Sequence, residues 1–189
     1  MAGVARRAVR PARRALPPDV AARARRVRAV LFDVDGVLTA DRVLVDARGQ
    51  LLRKLSLRDA TALVLLERAG IRVALLAERR AAVAPLARRL GVETIVERGA
   101  TVASAGRRLC RRWRIAPAEL AFVGDDLLDQ PLLALAGLAV TVADGARGLA
   151  GHVHLVTAAR GGAGAVREVV EAILRAQGKW ASVVGESMR

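Results

Sequence analysis

Val27-Arg28-Ala29-Val30-Leu31-Phe32-Asp33-Val34-Asp35-Gly36-Val37-Leu38-Thr39 is the stretch on which the reading of this chain turns. From Val27 to Val34 it is apolar except for Arg28 and Asp33, and it stops at an acid and a glycine. A short apolar run without polar alternation suits a strand buried on both faces of a parallel sheet. Residues two apart on a strand share a face, so Asp33 and Asp35 can approach one ligand from the strand's end.

Working outward, strand and helix patterns alternate along the chain. Val43–Asp46 and Leu51–Leu55 flank Ala47-Arg48-Gly49-Gln50, a hairpin signal that makes residues 38–56 a flap inserted after the first strand. Arg58–Ala69 and Ala81–Leu90 read as helices, each closed by a glycine, Gly70 and Gly91. Between and beyond them, Ile71–Ala77, Val92–Val96, Leu120–Val123, Leu138–Val142 and Val153–Val156 read as strands. Thr101–Arg114, Asp126–Ala136 and a last segment from Gly164 to Gln177 read as helices. The alternation predicts an α/β fold, a doubly wound, mostly parallel sheet with helices on both faces. Ligands of such sheets bind at the carboxyl edge, where the flap begins.

The chain's 189 residues, 53% of them apolar, suffice for one domain with its own core. A short helix is expected over Pro18–Arg26, preceded by a basic, mobile extension at 1–17 and followed at 181–189 by a tail. The longest uncharged run, about Gln130–Ala143 with Pro131 inside it, is too short for a membrane span. Cys110 is the only cysteine, which excludes an intrachain disulfide and fits a reducing cytoplasm. The net charge of +14 is nearly all arginine, because Lys54 and Lys179 are the only lysines. The arginines are spread along the chain, and aromatics for base stacking are nearly absent, which reads against a nucleic-acid partner. His152 and His154 have no third histidine or cysteine beside them and read as packing residues rather than metal ligands.

A second acidic strand end, Gly124-Asp125-Asp126-Leu127-Leu128-Asp129, must meet Asp33 and Asp35 at one edge of a parallel sheet. Carboxylates so crowded repel unless a hard cation lies between them, and Mg²⁺ suits an all-oxygen set. That combination suits phosphoryl transfer. One carboxylate can attack phosphorus, a second can protonate the leaving oxygen, and the metal offsets charge on the transferring group.

These motifs together resemble the haloacid dehalogenase superfamily, and within it the small, cap-poor 3-deoxy-D-manno-octulosonate 8-phosphate phosphatases. The resemblance runs from about Pro18 to Lys179 and includes Leu57-Arg58-Asp59, Gly161-Gly162-Ala163-Gly164-Ala165-Val166-Arg167-Glu168 and Arg175-Ala176-Gln177-Gly178-Lys179. It implies a single phosphatase domain over 18–180, acting on a sugar phosphate with Mg²⁺. It further implies Asp33 as nucleophile and metal ligand, Asp35 as general acid/base lending the metal its backbone carbonyl, and Asp125 as the remaining metal ligand. Arg58, Asp59, Arg79 and Asp126 match positions that meet substrate, and a homotetramer is implied.

The chain departs from that pattern where phosphate is held. The family's Thr or Ser followed by Gly and Arg is here Ala77-Glu78-Arg79, and its lysine at the start of the helix over 101–114 is Val102. Ala163 stands for an arginine and Val64 for a basic residue. A lost charge-assisted hydrogen bond is worth about 1.5–3 kcal/mol in ordinary contexts, and more where charge develops in a transition state. Two readings follow: a working phosphatase in which Arg79, Arg80 or Arg98 compensates, or a non-catalytic relative that keeps the metal site in a structural or regulatory role.

Overall fold

The computed structural model describes residues 16–186 apart from Glu93 and Ala100. All but the last two residues of the basic extension expected at 1–17 therefore lie outside the described residues. Strand β1 (Ala29–Asp33) is buried at every position. Its side chains alternate between two cores: Val30 and Phe32 enter one, Ala29 and Leu31 the other. This period of two explains why the sequence run shows no polar face.

Helix α1 (Pro18–Arg25) leads into β1, and the flap follows it as an antiparallel pair, β2 (Thr39–Val45) and β3 (Leu51–Leu55). Next come α2 (Leu57–Arg68), β4 (Arg72–Ala77), α3 (Arg80–Leu90), β5 (Thr94–Glu97) and α4 (Val102–Trp113). The chain then returns through β6 (Leu120–Gly124), α5 (Gln130–Leu133), β7 (Leu138–Thr141) and β8 (Leu155–Val156), and ends in α6 (Ala165–Ala176) and α7 (Trp180–Glu186). The six-stranded sheet has the order β5-β4-β1-β6-β7-β8, and every neighbouring pair in it is parallel. Winding reverses between β1 and β6, so a crevice opens at their carboxyl ends. α1, α2, α3 and α6 bury their apolar faces in the core of Phe32, while α4 and α5 cover the core of Leu31 and Phe122.

Three elements differ from the sequence expectation. The helix expected over Asp126–Ala136 begins as a 3-10 turn, Leu127–Asp129, before the short α5. The Asp126 carboxylate accepts from the Leu128 N–H and the Asp129 carboxylate from the Asp125 and Asp126 N–H groups. Such side-chain bonds compete with helix formation. The last strand, expected over Val153–Val156, is confined to β8, and a 3-10 segment, Arg147–His152, precedes it. The expected tail contains α7, anchored by Trp180 between the Arg167 and Arg175 guanidinium groups, 4.8 and 5.0 Å from its ring centroid. Among the described residues no helix is long and apolar enough to cross a membrane.

The glycines of the 161–164 loop explain how the far end of the domain braces the turn after β1 and the start of β2. A Cβ on Gly161 would collide with the Gly36 carbonyl, and one on Gly162 with the Ala40 backbone nitrogen. The Gly162 N–H donates to the Val37 carbonyl at 2.9 Å, and the Gly161 N–H to Asp144 Oδ1 at 2.9 Å. Asp59, near the start of α2, accepts from the Gly164 N–H at 2.9 Å and the Arg167 N–H at 2.8 Å, tying the flap base to the same loop. Gly161→Ala must push that loop off the turn that follows β1 and should cost about 1–3 kcal/mol of stability by urea unfolding. Gly151→Ala is the control, since nothing lies within 4 Å of its added Cβ.

Candidate active site

The carboxyl ends of β1 and β6 bring three carboxylates together. Asp33, Asp125 and Asp129 each place an oxygen within 4.8 Å of the others. Asp33 closes β1, and its Oδ1 accepts from the Val34 N–H at 2.9 Å, which fixes the side chain at the strand end. Beyond it the chain makes a wide turn over Val34–Leu38, closed by the Thr39 N–H on the Val34 carbonyl. Gly36 adopts φ 89° in that turn, and a Cβ there would collide with the Asp125 carboxylate. The glycine is thus required twice, for a left-handed backbone and for the approach of the second acidic strand end.

Asp129 was part of the acidic sequence cluster but not of the expected ligand set. Its signal was the four-residue spacing from Asp125 directly after a buried strand. A single turn brings its fully buried carboxylate back under the Asp125 and Asp126 N–H groups, at 3.0 and 3.3 Å. Asp35 behaves differently. Its carboxylate pairs with the flap residue Arg53, at 2.6 Å to Nε and 3.1 Å to Nη2, while the Thr39 hydroxyl sits 3.4 Å from Oδ1. The side-chain triad of the strand ends is therefore Asp33, Asp125 and Asp129.

Arg98 compensates much of this charge. Its Nη2 donates to Asp33 Oδ2 and its Nη1 to Asp129 Oδ1, both at 2.7 Å. Burial works against the Arg98 charge, but Asp33, Asp129 and Glu78 raise its pKa above the ordinary value. Burial, followed by the Asp129 charge, drives the Asp33 carboxyl well above the carboxylate range, although Arg98 pulls the other way. Burial also pushes Asp125 up, to about 7, with the Asp129, Asp41 and Asp126 charges adding to the effect. Asp125 Oδ1 is buried with no hydrogen-bond partner among the described residues. An orphaned anionic oxygen beside two further carboxylates fits a hard divalent cation, which the all-oxygen donor set would favour.

The expected substrate contacts fall into two groups. Arg58, Arg79 and Asp126 are exposed, at the first turn of α2, the start of α3 and the end of β6 respectively. Asp59 is fully buried, with both oxygens engaged by the loop before α6 and by its first turn. Its position corrects the expectation of direct substrate contact: a carboxylate there satisfies orphan N–H groups at a helix start. His154 Nδ1 accepts from the Ala139 N–H at 2.9 Å and His152 lies against Gln130, so neither belongs to the cluster.

A raised carboxyl pKa fixes the sign of the pH dependence. The folded, metal-free protein holds a proton on Asp125 up to about pH 7, whereas the unfolded chain releases it near the ordinary aspartate value. That stabilising contribution is complete below the unfolded pKa and is lost as pH rises through about 7. Asp33 acts in the same direction. His154, lowered by burial and by Arg23, acts oppositely, so the comparison is with Asp125→Asn. In chelator-treated protein the melting temperature should fall between pH 5 and pH 8, and Asp125→Asn should flatten that fall. An unchanged slope in the variant would contradict the assignment.

Residues 87–169 match the family model of haloacid dehalogenase-like hydrolases. The chain is 35% identical, over 90% of its length and 91% of the relative's, to the 3-deoxy-D-manno-octulosonate 8-phosphate phosphatase KdsC of Yersinia pestis. A hypothetical protein from Xanthomonas campestris superposes with a TM-score of 0.85 at 37% identity, covering 90% of this chain and 94% of that one. The Moraxella catarrhalis 3-deoxy-D-manno-octulosonate 8-phosphate phosphatase, solved with magnesium, phosphate and KDO, superposes with a TM-score of 0.84 at 28% identity, covering 89% and 97% of the two chains. Strand order, acidic strand ends and whole-chain similarity agree: this protein belongs to the 3-deoxy-D-manno-octulosonate 8-phosphate phosphatase-like branch of the haloacid dehalogenase-like hydrolases, and is a phosphoric monoester hydrolase.

Proposed function

We propose that this protein is a Mg²⁺-dependent phosphatase of a sugar phosphate resembling 3-deoxy-D-manno-octulosonate 8-phosphate, working through an aspartyl-phosphate on Asp33. The observation that carries the proposal is the convergence of Asp33, Asp125 and Asp129 at the β1/β6 crevice. The relatives' printed activity, and the magnesium, phosphate and KDO in one of them, support the substrate class and the metal.

The reaction has two halves. A carboxylate oxygen of Asp33 forms a bond to phosphorus while the ester P–O bond to the sugar breaks, and the departing oxygen takes a proton from the Asp35 carboxyl. Asp35, now a carboxylate, then removes a proton from water as the water oxygen attacks phosphorus. The bond to Asp33 breaks, inorganic phosphate leaves, and both residues return to their starting states. Mg²⁺, held by the Asp33, Asp125 and Asp129 side chains with the Asp35 backbone carbonyl, would supply positive charge against the phosphoryl oxygens.

The chain's own residues determine how that chemistry is positioned. The Arg53–Asp35 pair links the acid/base residue to the flap, so delivery of its proton requires the carboxyl to leave the arginine fork. Exposed Arg58, Arg79 and Asp126 surround the crevice and are the proposed substrate contacts. The flap also presents Leu44, Val45, Leu51 and Leu52 to solvent, at 50–66% exposure. That exposed apolar patch supports a homotetramer in which copies of the chain would cover it, and sedimentation should then reveal a single species of four-chain mass. The lone, buried Cys110 fits a reducing cytoplasm.

Phosphate release from a sugar-phosphate panel tests the activity. Turnover should require Mg²⁺, fall to background in Asp33→Asn, and drop about 10²–10⁴-fold in Asp35→Asn. Background turnover by the wild-type protein, across the panel and with Mg²⁺ present, would favour the non-catalytic reading.

A further inference from the structure

Arg98 does more than relieve repulsion. It follows β5, and its backbone N–H donates to the Ala77 carbonyl at 3.1 Å, so it is anchored to the end of β4, where the hydroxyl of Thr or Ser is missing. Its side chain crosses the carboxyl edge of the sheet to reach Asp33 and Asp129. A guanidinium has five N–H donors in a rigid planar fork. The two ion pairs occupy one donor on each terminal nitrogen, leaving the Nε–H and the second N–H of each for another acceptor. With 18% of its side chain accessible, against 8% for Asp33 and 0% for Asp129, it is the most accessible member of the ion-paired cluster.

Val102 has a different place. It is the first residue of α4, nearly buried, and packs with Ala105 and Leu109 in the core of Leu31 and Phe122. Lys54 and Lys179 are the only lysines, Lys179 donates to the Ala69 carbonyl, and among the described residues the cation paired with Asp33 is Arg98.

We propose that Arg98 is the phosphoryl-binding cation of this site. It holds Asp33 in place for attack and donates its remaining N–H groups to the phosphoryl oxygens. One planar fork thereby supplies both a positive charge and the additional donors that Ala77 and Val102 do not. The proposal rests on the phosphatase reading above, but its binding test does not require turnover.

The test joins kinetics, calorimetry and crystallography, with tungstate plus Mg²⁺ as the phosphoryl probe. Relative to the wild-type protein, Arg98→Gln should lower kcat by about 100-fold or more, the scale seen when one oxyanion donor is removed. Its tungstate dissociation constant should rise at least about tenfold, and Arg98→Lys, which keeps the charge but loses the fork, should fall between the two. In crystals of the wild-type protein the guanidinium should lie within hydrogen-bond distance of a tungstate oxygen. Tungstate bound without that contact, or a folded Arg98→Gln protein with unchanged kcat and tungstate affinity, would overturn the proposal. The crystal decides the matter even if Arg98→Gln does not fold. Tungstate held by Arg98 in a protein that hydrolyses no phosphate ester would instead retain the cation's role and reject the phosphatase reading.

Discussion

Crowding of negative charge at the carboxyl edge is the constraint on which the rest of this structure depends. The topology leaves no alternative: β1 and β6 are parallel neighbours, β1 ends at Asp33, and Asp125 directly follows β6. Asp33, Asp125 and Asp129 come within 4.8 Å, two of them buried, where the medium screens their repulsion poorly. The Arg98 bridge neutralises one charge of the three and joins β5 to the two strand ends. Burial first, and the remaining negative charge after it, raise the Asp33 and Asp125 carboxyl pKa values, and one Asp125 oxygen has no hydrogen-bond partner among the described residues. A divalent cation would complete the neutralisation that one arginine begins.

Most of the scaffold was legible in the sequence because strong local signals agreed with the tertiary structure. The continuous apolar run before Asp33 is the central strand, and the glycine-closed helices end near their predicted positions. Asp126–Ala136 misled because apolar periodicity there outweighed the competing carboxylate–backbone bonds that open the segment as a 3-10 turn. Asp59 shows a different limit. Its place in a family motif suggested a ligand contact, but only the fold shows its burial against Gly164 and Arg167, more than 100 residues away. Arg98 had no local mark to separate it from Arg79 and Arg80, since reaching Asp33 depends on which loop crosses the sheet edge.

The flap, the glycine loop and the first strand's turn form one mechanical unit around those acids. Gly161 and Gly162 bring their backbones against Gly36 and Ala40, while Asp59 fastens the helix after the flap to the same loop. Gly36 in turn makes room for Asp125. Moving the loop would therefore move the turn that carries Asp35 and reposition the second acidic strand end. This coupling through close backbone contacts explains why small residues recur far apart in sequence yet meet at a single place.

The arginine-rich composition acquires local meaning in that setting. An ammonium group is a compact, strongly hydrated point charge, whereas guanidinium is weakly hydrated and offers several donors in one plane. Buried beside carboxylates, the guanidinium loses less hydration and can bond two acids at once while keeping donors for a third acceptor. Arg98 does the first of these, with 2.7 Å bonds to Asp33 and Asp129. A lysine at the same place would have the charge without the planar spread. Valine at position 102, where the family resemblance implies a lysine, does not leave the acids unopposed, because the neighbouring loop brings a cation of different shape to two of the carboxylates. Val102 is then free to serve the apolar core beneath α4.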